Sequence, residues 1–203
     1  LTQDQADDRA AARADGALAV RPPDTVLAAF GRPIAPAPPR PILGAWQAEH
    51  SDTLAASAVG RNAVVSLGAM PDECLIETRL TFRGATGVYG LYLRGDPAYD
   101  SYYQVRLEPA NRRMVIDRWP RPGDEPFILE RPLDLAEGQP VTLKVIASGT
   151  NLVAYSSGDE REWTALSCRM YDYRRGEWGL FAAEGEARFA RLRLAVRDQP
   201  EQV

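Results

Sequence analysis

The sequence predicts an all-β protein: an antiparallel β-sandwich of the jelly-roll or concanavalin-like kind, preceded by a proline-rich strap. From residue 43 onwards, short segments of alternating or continuous apolar residues are separated by turn-forming residues. Several of these segments have hairpin spacing, and helical periodicity is almost absent. No repeat of fixed period is visible, which argues against a propeller or a solenoid.

The first 42 residues have a different character from the rest. Residues 1–21 are polar and rich in alanine, and residues 25–30 predict a single helical turn with Asp24 as its N-cap. Five prolines fall within residues 33–41, a density that favours extended polyproline geometry and excludes a sheet interior. We therefore expect an N-terminal arm and linker at residues 1–42, the sandwich at 43–197 and a short tail at 198–203.

The strands of the sandwich are predicted from alternation and from the turns between them. Two hairpin connections, at residues 108–111 and 148–151, consist largely of turn-forming residues. The expected strands are 74–82, 88–94, 102–107, 113–119, 141–147, 152–155, 166–171, 178–183 and 187–196.

Size and charge exclude several classes of function. A chain of 203 residues with 45% hydrophobic residues can build one sizeable β-domain with an appendage. Its net charge of −4 argues against a nucleic-acid partner and an anionic membrane surface. No apolar run approaches the roughly 18 residues that cross a bilayer. The sequence starts at Leu1 without a signal-peptide pattern, so we expect a processed form or a piece of a longer protein. Its compartment, secreted or cytoplasmic, stays open.

Cysteine and histidine usage gives no sign of a cofactor. Cys74 and Cys168 each lie in an apolar, strand-like segment, which favours burial as small hydrophobic residues and leaves a disulfide open. His50 is the single histidine, and neither CxxC nor HExxH spacing occurs. We expect no cofactor and no metal site, although scattered acidic residues leave calcium open.

The last long run of the chain indicates carbohydrate recognition. Asp172, Trp178, Glu184 and Glu186 lie in or beside strand-like segments. An aromatic ring stacks on the apolar face of a sugar, and carboxylates accept hydrogen bonds from its hydroxyl groups. Glu184 and Glu186, two residues apart, would share a face of an extended strand about 6–7 Å apart. That spacing falls within the range of a glycosidase carboxylate pair, although solvated acids on an exposed strand are the more common case.

Three charged residues elsewhere extend the candidate site. Glu77 lies on the strand face opposite Ile76 and Leu80, Arg94 ends an apolar strand, and Asp117 lies near a strand end. Each alone is typical of a surface ion pair, because an unpaired charge in an apolar strand is costly. Their presence on several strands of one predicted sandwich favours a shared site.

Several motifs together resemble the C-terminal β-sandwich of family 32 glycoside hydrolases, and more closely the fructan-binding modules of carbohydrate-binding family 66. The similarity covers residues 43–196 in uniform order. The motifs that carry it are residues 94–96, 103–109, 114–120, 165–172 and 178–185.

This resemblance implies a jelly-roll-like sandwich that binds the terminal fructosyl unit of a fructan such as levan or inulin without performing chemistry. Transferred to the matching motifs of this sequence, the sugar-binding residues would be Glu77, Arg94, Asp117, Asp172, Trp178 and Glu184. Residues 17–23 also resemble the stretch that leaves the catalytic propeller in the full-length enzymes. A fructose-containing glycan and a family 32-like propeller are therefore the expected partners.

Two other functions stay open at this point. The chain would be a structural accessory sandwich that packs on a fructosidase-like propeller, with residues 22–42 as its attachment. Alternatively it would be a sandwich-fold hydrolase that uses Glu184 and Glu186 as its carboxylate pair.

Overall fold

A computed structural model describes residues 22–120 and 128–198 of the chain. These residues form two antiparallel β-sheets that pack face to face, so the predicted β-sandwich is confirmed. The arm expected at residues 1–21, the segment 121–127 and the tail after Asp198 lie outside the described residues.

The described chain contains one short α-helix, α1 (Asp24–Ala28), one 3₁₀ turn (Pro109–Asn111) and fifteen strands. The strands are β1 (Arg32–Ile34), β2 (Arg40–Leu43), β3 (Trp46–His50), β4 (Thr53–Ser57), β5 (Asn62–Ala69), β6 (Glu73–Arg83), β7 (Val88–Gly95), β8 (Tyr102–Glu108), β9 (Arg113–Trp119), β10 (Ile128–Pro132), β11 (Val141–Ser148), β12 (Asn151–Ser157), β13 (Thr164–Arg169), β14 (Glu177–Ala183) and β15 (Glu186–Val196).

Two sheets share these strands. Sheet A has the order β13-β12-β11-β6-β15-β4-β3, with β1 also paired to β15, and sheet B has the order β10-β9-β8-β7-β14-β5-β2. All nine strands expected from the sequence are present, as β6 to β9 and β11 to β15.

The described part of the expected linker belongs to the sandwich. β1 pairs with β15 in sheet A, and β2 pairs with β5 at the edge of sheet B. Proline is tolerated at sheet edges, because an edge residue can lack the amide proton that an interior strand must donate. Residues 32–42, expected outside the sandwich, therefore contribute a strand to each sheet.

The helix before the strap is present, but its predicted cap is not. The N-cap position is Pro23 instead of Asp24, and no side chain caps the helix. The nearby ring of Phe30 is buried against the outer face of sheet A, where it packs in one cluster with Tyr155 and Trp163. This packing anchors the described N-terminal segment to sheet A.

The main core lies between the two sheets and follows strand alternation. On β8, Tyr103, Val105 and Leu107 point into the core, whereas Gln104 and Arg106 point to the outer face of sheet B. A smaller buried cluster of Val64, Tyr92 and Phe181 covers part of that outer face. Sheet B therefore carries ordered side chains on both faces.

Candidate functional site

The six residues predicted to hold the sugar do not surround one space. Three of them lie near the same end of the sandwich: Arg94 and Asp117 near the ends of β7 and β9, and Asp172 in the loop between β13 and β14. Glu77, Trp178 and Glu184 lie elsewhere, each for a separate physical reason.

Trp178 is a core residue. It lies on β14, between β7 and β5, and its exposed fraction is 0%. Its indole packs in the cluster between the sheets, so the ring has no face to offer a sugar. Alternation along β14 explains the correction, because Trp178, Leu180 and Ala182 all point inward.

Glu77 lies on the other sheet and points away from the core. It stands in the middle of β6 in sheet A, where its carboxylate lies 3.5 Å from the ammonium group of Lys144 on β11. This cross-strand pair is the ion pair that the sequence offered as the alternative to a binding role for Glu77. Glu77 is thus separated by the whole sandwich from the outer face of sheet B, which carries Asp117.

Glu184 lies at the opposite end of the sandwich from Asp172. It is exposed in the turn between β14 and β15, with a φ of 57°. β14, with seven residues, spans about 20 Å and separates this turn from the loop that carries Asp172. Since Glu184 is in the turn and Glu186 begins β15, the two carboxylates do not share a face of one extended strand, as the hydrolase hypothesis required.

Arg94 is turned inward by an irregular backbone. Strand alternation would place it on the outer face beside Tyr92, but its φ of 50° and a register shift in the facing strand β14 redirect the side chain. Arg94 is 3% exposed and donates hydrogen bonds to the carbonyl oxygens of Gly149 and Tyr173. Burial lowers the pKa of its guanidinium, while the nearby charge of Asp72 opposes that shift.

Gly176 lets the loop that carries Asp172 approach Arg94. Its φ is 155°, and a Cβ at this position would lie 2.4 Å from the carbonyl carbon of Arg94. The carbonyl oxygen of Gly176 accepts a hydrogen bond of 2.9 Å from the amide of Met70. A glycine is therefore required where this loop passes the end of β7.

Asp172 belongs to a group that we call the Tyr103 cluster: Arg94, Tyr103, Arg118, Asp172 and Tyr173. One carboxylate oxygen of Asp172, Oδ2, pairs with the guanidinium of Arg118 and lies 3.4 Å from the hydroxyl of Tyr103. That hydroxyl also accepts a hydrogen bond of 3.1 Å from the Asp172 amide. Burial raises the pKa of Tyr103, so its hydroxyl stays protonated and can donate to the carboxylate.

The Asp172 carboxylate is fixed and still accessible. Its side chain is 35% exposed, whereas that of Arg118 is 11% exposed. Among described groups, none donates a hydrogen bond to the second oxygen, Oδ1. The cluster therefore offers one oriented acceptor oxygen at the end of the sandwich.

Asp117 connects this cluster to a polar network on the outer face of sheet B. Its Oδ1 accepts a hydrogen bond of 2.8 Å from the backbone amide of Arg118, and its Oδ2 one of 2.6 Å from Arg106. Arg106 also donates to Glu108, at 2.6 Å. Burial acts to raise the pKa of Glu108, but hydrogen bonds from Arg106, Asn111 and Arg113 outweigh it and hold that pKa below its usual range.

Beside this network lies a groove, which we call the outer groove, with a volume of about 290 Å³. Gln104, Arg106 and Glu108 line one part of it, and the rings of Tyr99 and Tyr102 line another. Trp119, next to Tyr102 in the strand register, is 47% exposed. Sequence reasoning missed these residues, although the alternation of β8 already places Tyr102, Gln104, Arg106 and Glu108 on one face.

The cysteines do not form a disulfide, and both are buried. Through the strand register, Cys74 lies opposite Ala147, Ala147 opposite Leu152, and Leu152 opposite Cys168. Three strand spacings amount to about 14 Å, well beyond the reach of a disulfide.

Within residues 22–120 and 128–198, no three histidine, cysteine, aspartate or glutamate side chains are grouped as a metal site would need. No helix of this part of the chain has the length and apolarity to cross a membrane.

Comparison with solved structures identifies the fold. The chain is similar to the carbohydrate binding module CBM66 from Bacillus subtilis, with a TM-score of 0.66 and 13% identity over 79% of this chain and 96% of that one. It is also similar to a fructosyltransferase from A. japonicus (TM-score 0.56, 19% identity) and a beta-fructofuranosidase from Aspergillus kawachii (TM-score 0.54, 15% identity). Each of these two matches covers 78% of this chain but 28% of the enzyme.

The sequence comparisons found no match. No protein-family model matches the chain, and no curated protein matches it. At identities of 13% to 19%, the structural similarity establishes the fold. The resemblance indicated by the sequence motifs is thereby confirmed at that level: the chain has the β-sandwich fold of the CBM66 module and of part of the two enzymes.

Proposed function

We propose that this chain is a non-catalytic module that binds carbohydrate, and that its ligand is the terminal fructosyl unit of a fructan of the levan or inulin type. The observation that carries the proposal is the Asp172 carboxylate, 35% exposed and held in place by Arg118 and Tyr103 at the end of a carbohydrate-module fold. A fixed carboxylate whose second oxygen accepts no hydrogen bond from the described residues suits a pair of neighbouring sugar hydroxyls.

The residues of the proposed site have different roles. Asp172 accepts hydrogen bonds from the sugar, and Arg118 orients that carboxylate. Arg94 is too deeply buried to contact a ligand, but it holds the carbonyl of Tyr173, next to Asp172, and so acts as a positioning residue. Asp117 positions Arg118 through its backbone amide.

A single such site predicts weak binding. Few atoms of one furanose ring are buried at the end of a sandwich, so the dissociation constant should be on the order of 10–1000 µM. A binding role also agrees with the positions of Glu184 and Glu186, because neither belongs to a paired carboxylate site at this end of the sandwich.

Isothermal titration calorimetry with a levan oligosaccharide tests the proposal. Asp172→Asn should weaken binding at least about tenfold, because it removes a charged acceptor at the centre of the site. The matched control is Glu184→Gln, the same chemical change in the turn at the far end, which should bind like the wild type. Undiminished binding by the Asp172→Asn protein would contradict the site, and a wild type that binds no fructan would contradict the function.

A second function is favoured by the two enzymes of which this fold forms only part. The chain would then be an accessory sandwich that packs on a family 32-like catalytic propeller and has little affinity for sugar. Wild-type protein that ignores levan and inulin but forms a stable complex with such a propeller would support this function over the first.

A further inference from the structure

We propose that the outer groove of sheet B is a second saccharide site, separate from the Tyr103 cluster, which binds an uncharged sugar unit between Tyr102 and Phe181. This inference goes beyond the proposed function, and it does not depend on fructan binding at Asp172. It follows from the shape of the groove, its aromatic wall and its balanced charges.

The groove lies on a row of the sheet that contains Phe181, a glycine and Arg106. In the strand register, Phe181 on β14 lies opposite Gly90 on β7, and Gly90 lies opposite Arg106 on β8. A residue without a side chain therefore lies between the phenyl ring of Phe181 and the guanidinium of Arg106 in this row of the sheet. A Cβ there would lie 2.1 Å from the carbonyl oxygen of Val105, so the sheet requires glycine at this point. The volume of about 290 Å³ is near the lower end of small-ligand sites, which run from roughly 300 to 1,000 Å³.

The aromatic wall of the groove, formed by Tyr99 and Tyr102, is held in place by contacts within the protein. Tyr99 and Tyr102 stack with ring centroids 4.0 Å apart and an interplanar angle of 7°, and the Tyr92 ring meets Tyr99 edge-on at 5.1 Å. The Tyr99 hydroxyl accepts a hydrogen bond of 2.7 Å from the side-chain amide of Gln104. A sugar that stacks here loses little free energy to ordering the protein, because these rings are already fixed.

The loop that carries Tyr99 is fixed as well. The Asp96 carboxylate accepts hydrogen bonds from the amides of Ala98, Asp100 and Ser101 and from the Ser101 hydroxyl, at distances of 2.7 to 3.2 Å. Such a loop presents its aromatic side chain in one position.

The polar wall of the groove, formed by Gln104, Arg106 and Glu108, suits the hydroxyl groups of an uncharged sugar better than a charged ligand. Arg106 and Glu108 are 8% and 6% exposed, and Arg106 lies between the carboxylates of Glu108 and Asp117. A buried ion network contributes little net stability compared with apolar packing of the same volume. Because the network of Arg106, Glu108 and Asp117 lies beside the groove, we assign it a role in binding. The guanidinium charge is already neutralised by two carboxylates, which disfavours an anionic ligand. Within the described chain, the Arg106 Nη2 group donates no hydrogen bond to protein, and it can donate to a sugar oxygen.

Strand alternation separates the groove from the Tyr103 cluster. Tyr103 and Arg118 point to the interior side of sheet B at the sandwich end, whereas Tyr102 and Gln104 point to its outer face. One saccharide unit therefore cannot contact both. Asp117 contacts residues of both sites, whereas Asp172 belongs to the cluster alone and Tyr102 to the groove alone. Variants at Asp172 and Tyr102 therefore make the two hypotheses separable.

Amide NMR titration of the whole chain with a levan oligosaccharide, maltotriose and xylotriose tests the second site. We expect at least one of these sugars to shift the Gln104 side-chain amide and the Tyr102 backbone amide. Those shifts should persist in Asp172→Asn protein. Tyr102→Ala should weaken this binding at least about tenfold, while Tyr102→Phe, which keeps the ring, should stay within about twofold of the wild type.

A second variant, which blocks the groove and keeps Tyr102, tests the site even if the Tyr102→Ala protein does not fold. Val88 lines the groove and is partly exposed, so Val88→Trp should fill it and abolish the Gln104 shifts in a protein with an otherwise wild-type spectrum. The second site is overturned if none of the three sugars, at concentrations up to about 20 mM, shifts these amides. It is also overturned if the shifts disappear in Asp172→Asn protein, since one site then accounts for all binding.

Discussion

Trp178→Ala separates a core role of this indole from a sugar-binding role. Trp178 is 0% exposed on a central strand of sheet B, so removing its ring leaves a large cavity between the sheets. Tryptophan-to-alanine changes in cores cost about 3–5 kcal/mol of unfolding free energy. For a domain of this size that corresponds to a lowering of Tm by roughly 6–20 °C. Trp178→Phe should cost less, about 1–2 kcal/mol, because the indole nitrogen has no hydrogen-bond partner among the described residues.

Urea unfolding followed by tryptophan fluorescence gives these free energies, and calorimetry with a levan oligosaccharide gives binding under conditions where the variant is folded. We expect a large loss of stability and, in the folded fraction, an affinity close to that of the wild type. A Trp178→Ala protein that keeps its stability within about 1 kcal/mol but loses sugar binding would refute the assignment of this side chain to the core.

Three further predictions follow from the same structure. Glu108→Gln should lower the unfolding free energy at pH 7 by about 3 kcal/mol, because it weakens a buried pair with Arg106. Hydrogen bonds hold the Glu108 pKa below its usual value in the folded state. The contribution of Glu108 to the unfolding free energy is therefore complete above its unfolded-state pKa of about 4.3, and it is lost as the pH falls through the folded-state pKa. Urea unfolding between pH 5 and 3 should thus lose more stability in the wild type than in the variant. Burial, partly opposed by the charge of Arg94, raises the pKa of the Cys74 thiol to about 12, and Cys168 is also buried. Both cysteines should therefore react with a thiol reagent at pH 8 only after denaturation, and rapid labelling of the folded protein would contradict their burial. Gly176→Ala should displace the loop that carries the site carboxylate and weaken levan binding in calorimetry, and wild-type affinity in this variant would show that the close approach to β7 does not matter.

The fold was predictable from local signals. Alternation and turn chemistry are properties of short segments, and they are sufficient to locate β6 to β9 and β11 to β15. Six strands, β1 to β5 and β10, were not predicted. For β1 and β2 the reason is that prolines in a strap argue against strands, whereas at sheet edges they are tolerated. Those two pairings depend on tertiary packing, which local sequence does not encode.

The candidate site was only partly predictable, because convergence depends on which face each residue occupies. The motif resemblance placed Arg94 and Asp172 near one end, but it could not show that a left-handed φ turns Arg94 inward. Alternation along the last hairpin places Trp178 on the inward face with Leu180, whereas an aromatic residue beside acids is also typical of a sugar site. Arg118 was not predicted as a site residue because its partner Asp172 is distant in sequence, and only the packed sandwich brings the two together.

The most direct test of the account is a crystal structure of the chain with a bound levan oligosaccharide. We expect the terminal fructosyl unit at the end of the sandwich, with one of its hydroxyl groups within about 3.2 Å of the Asp172 carboxylate. A fructosyl unit bound at the turn of Glu184, or on the outer face of sheet A near Glu77, with the Tyr103 cluster empty, would contradict it.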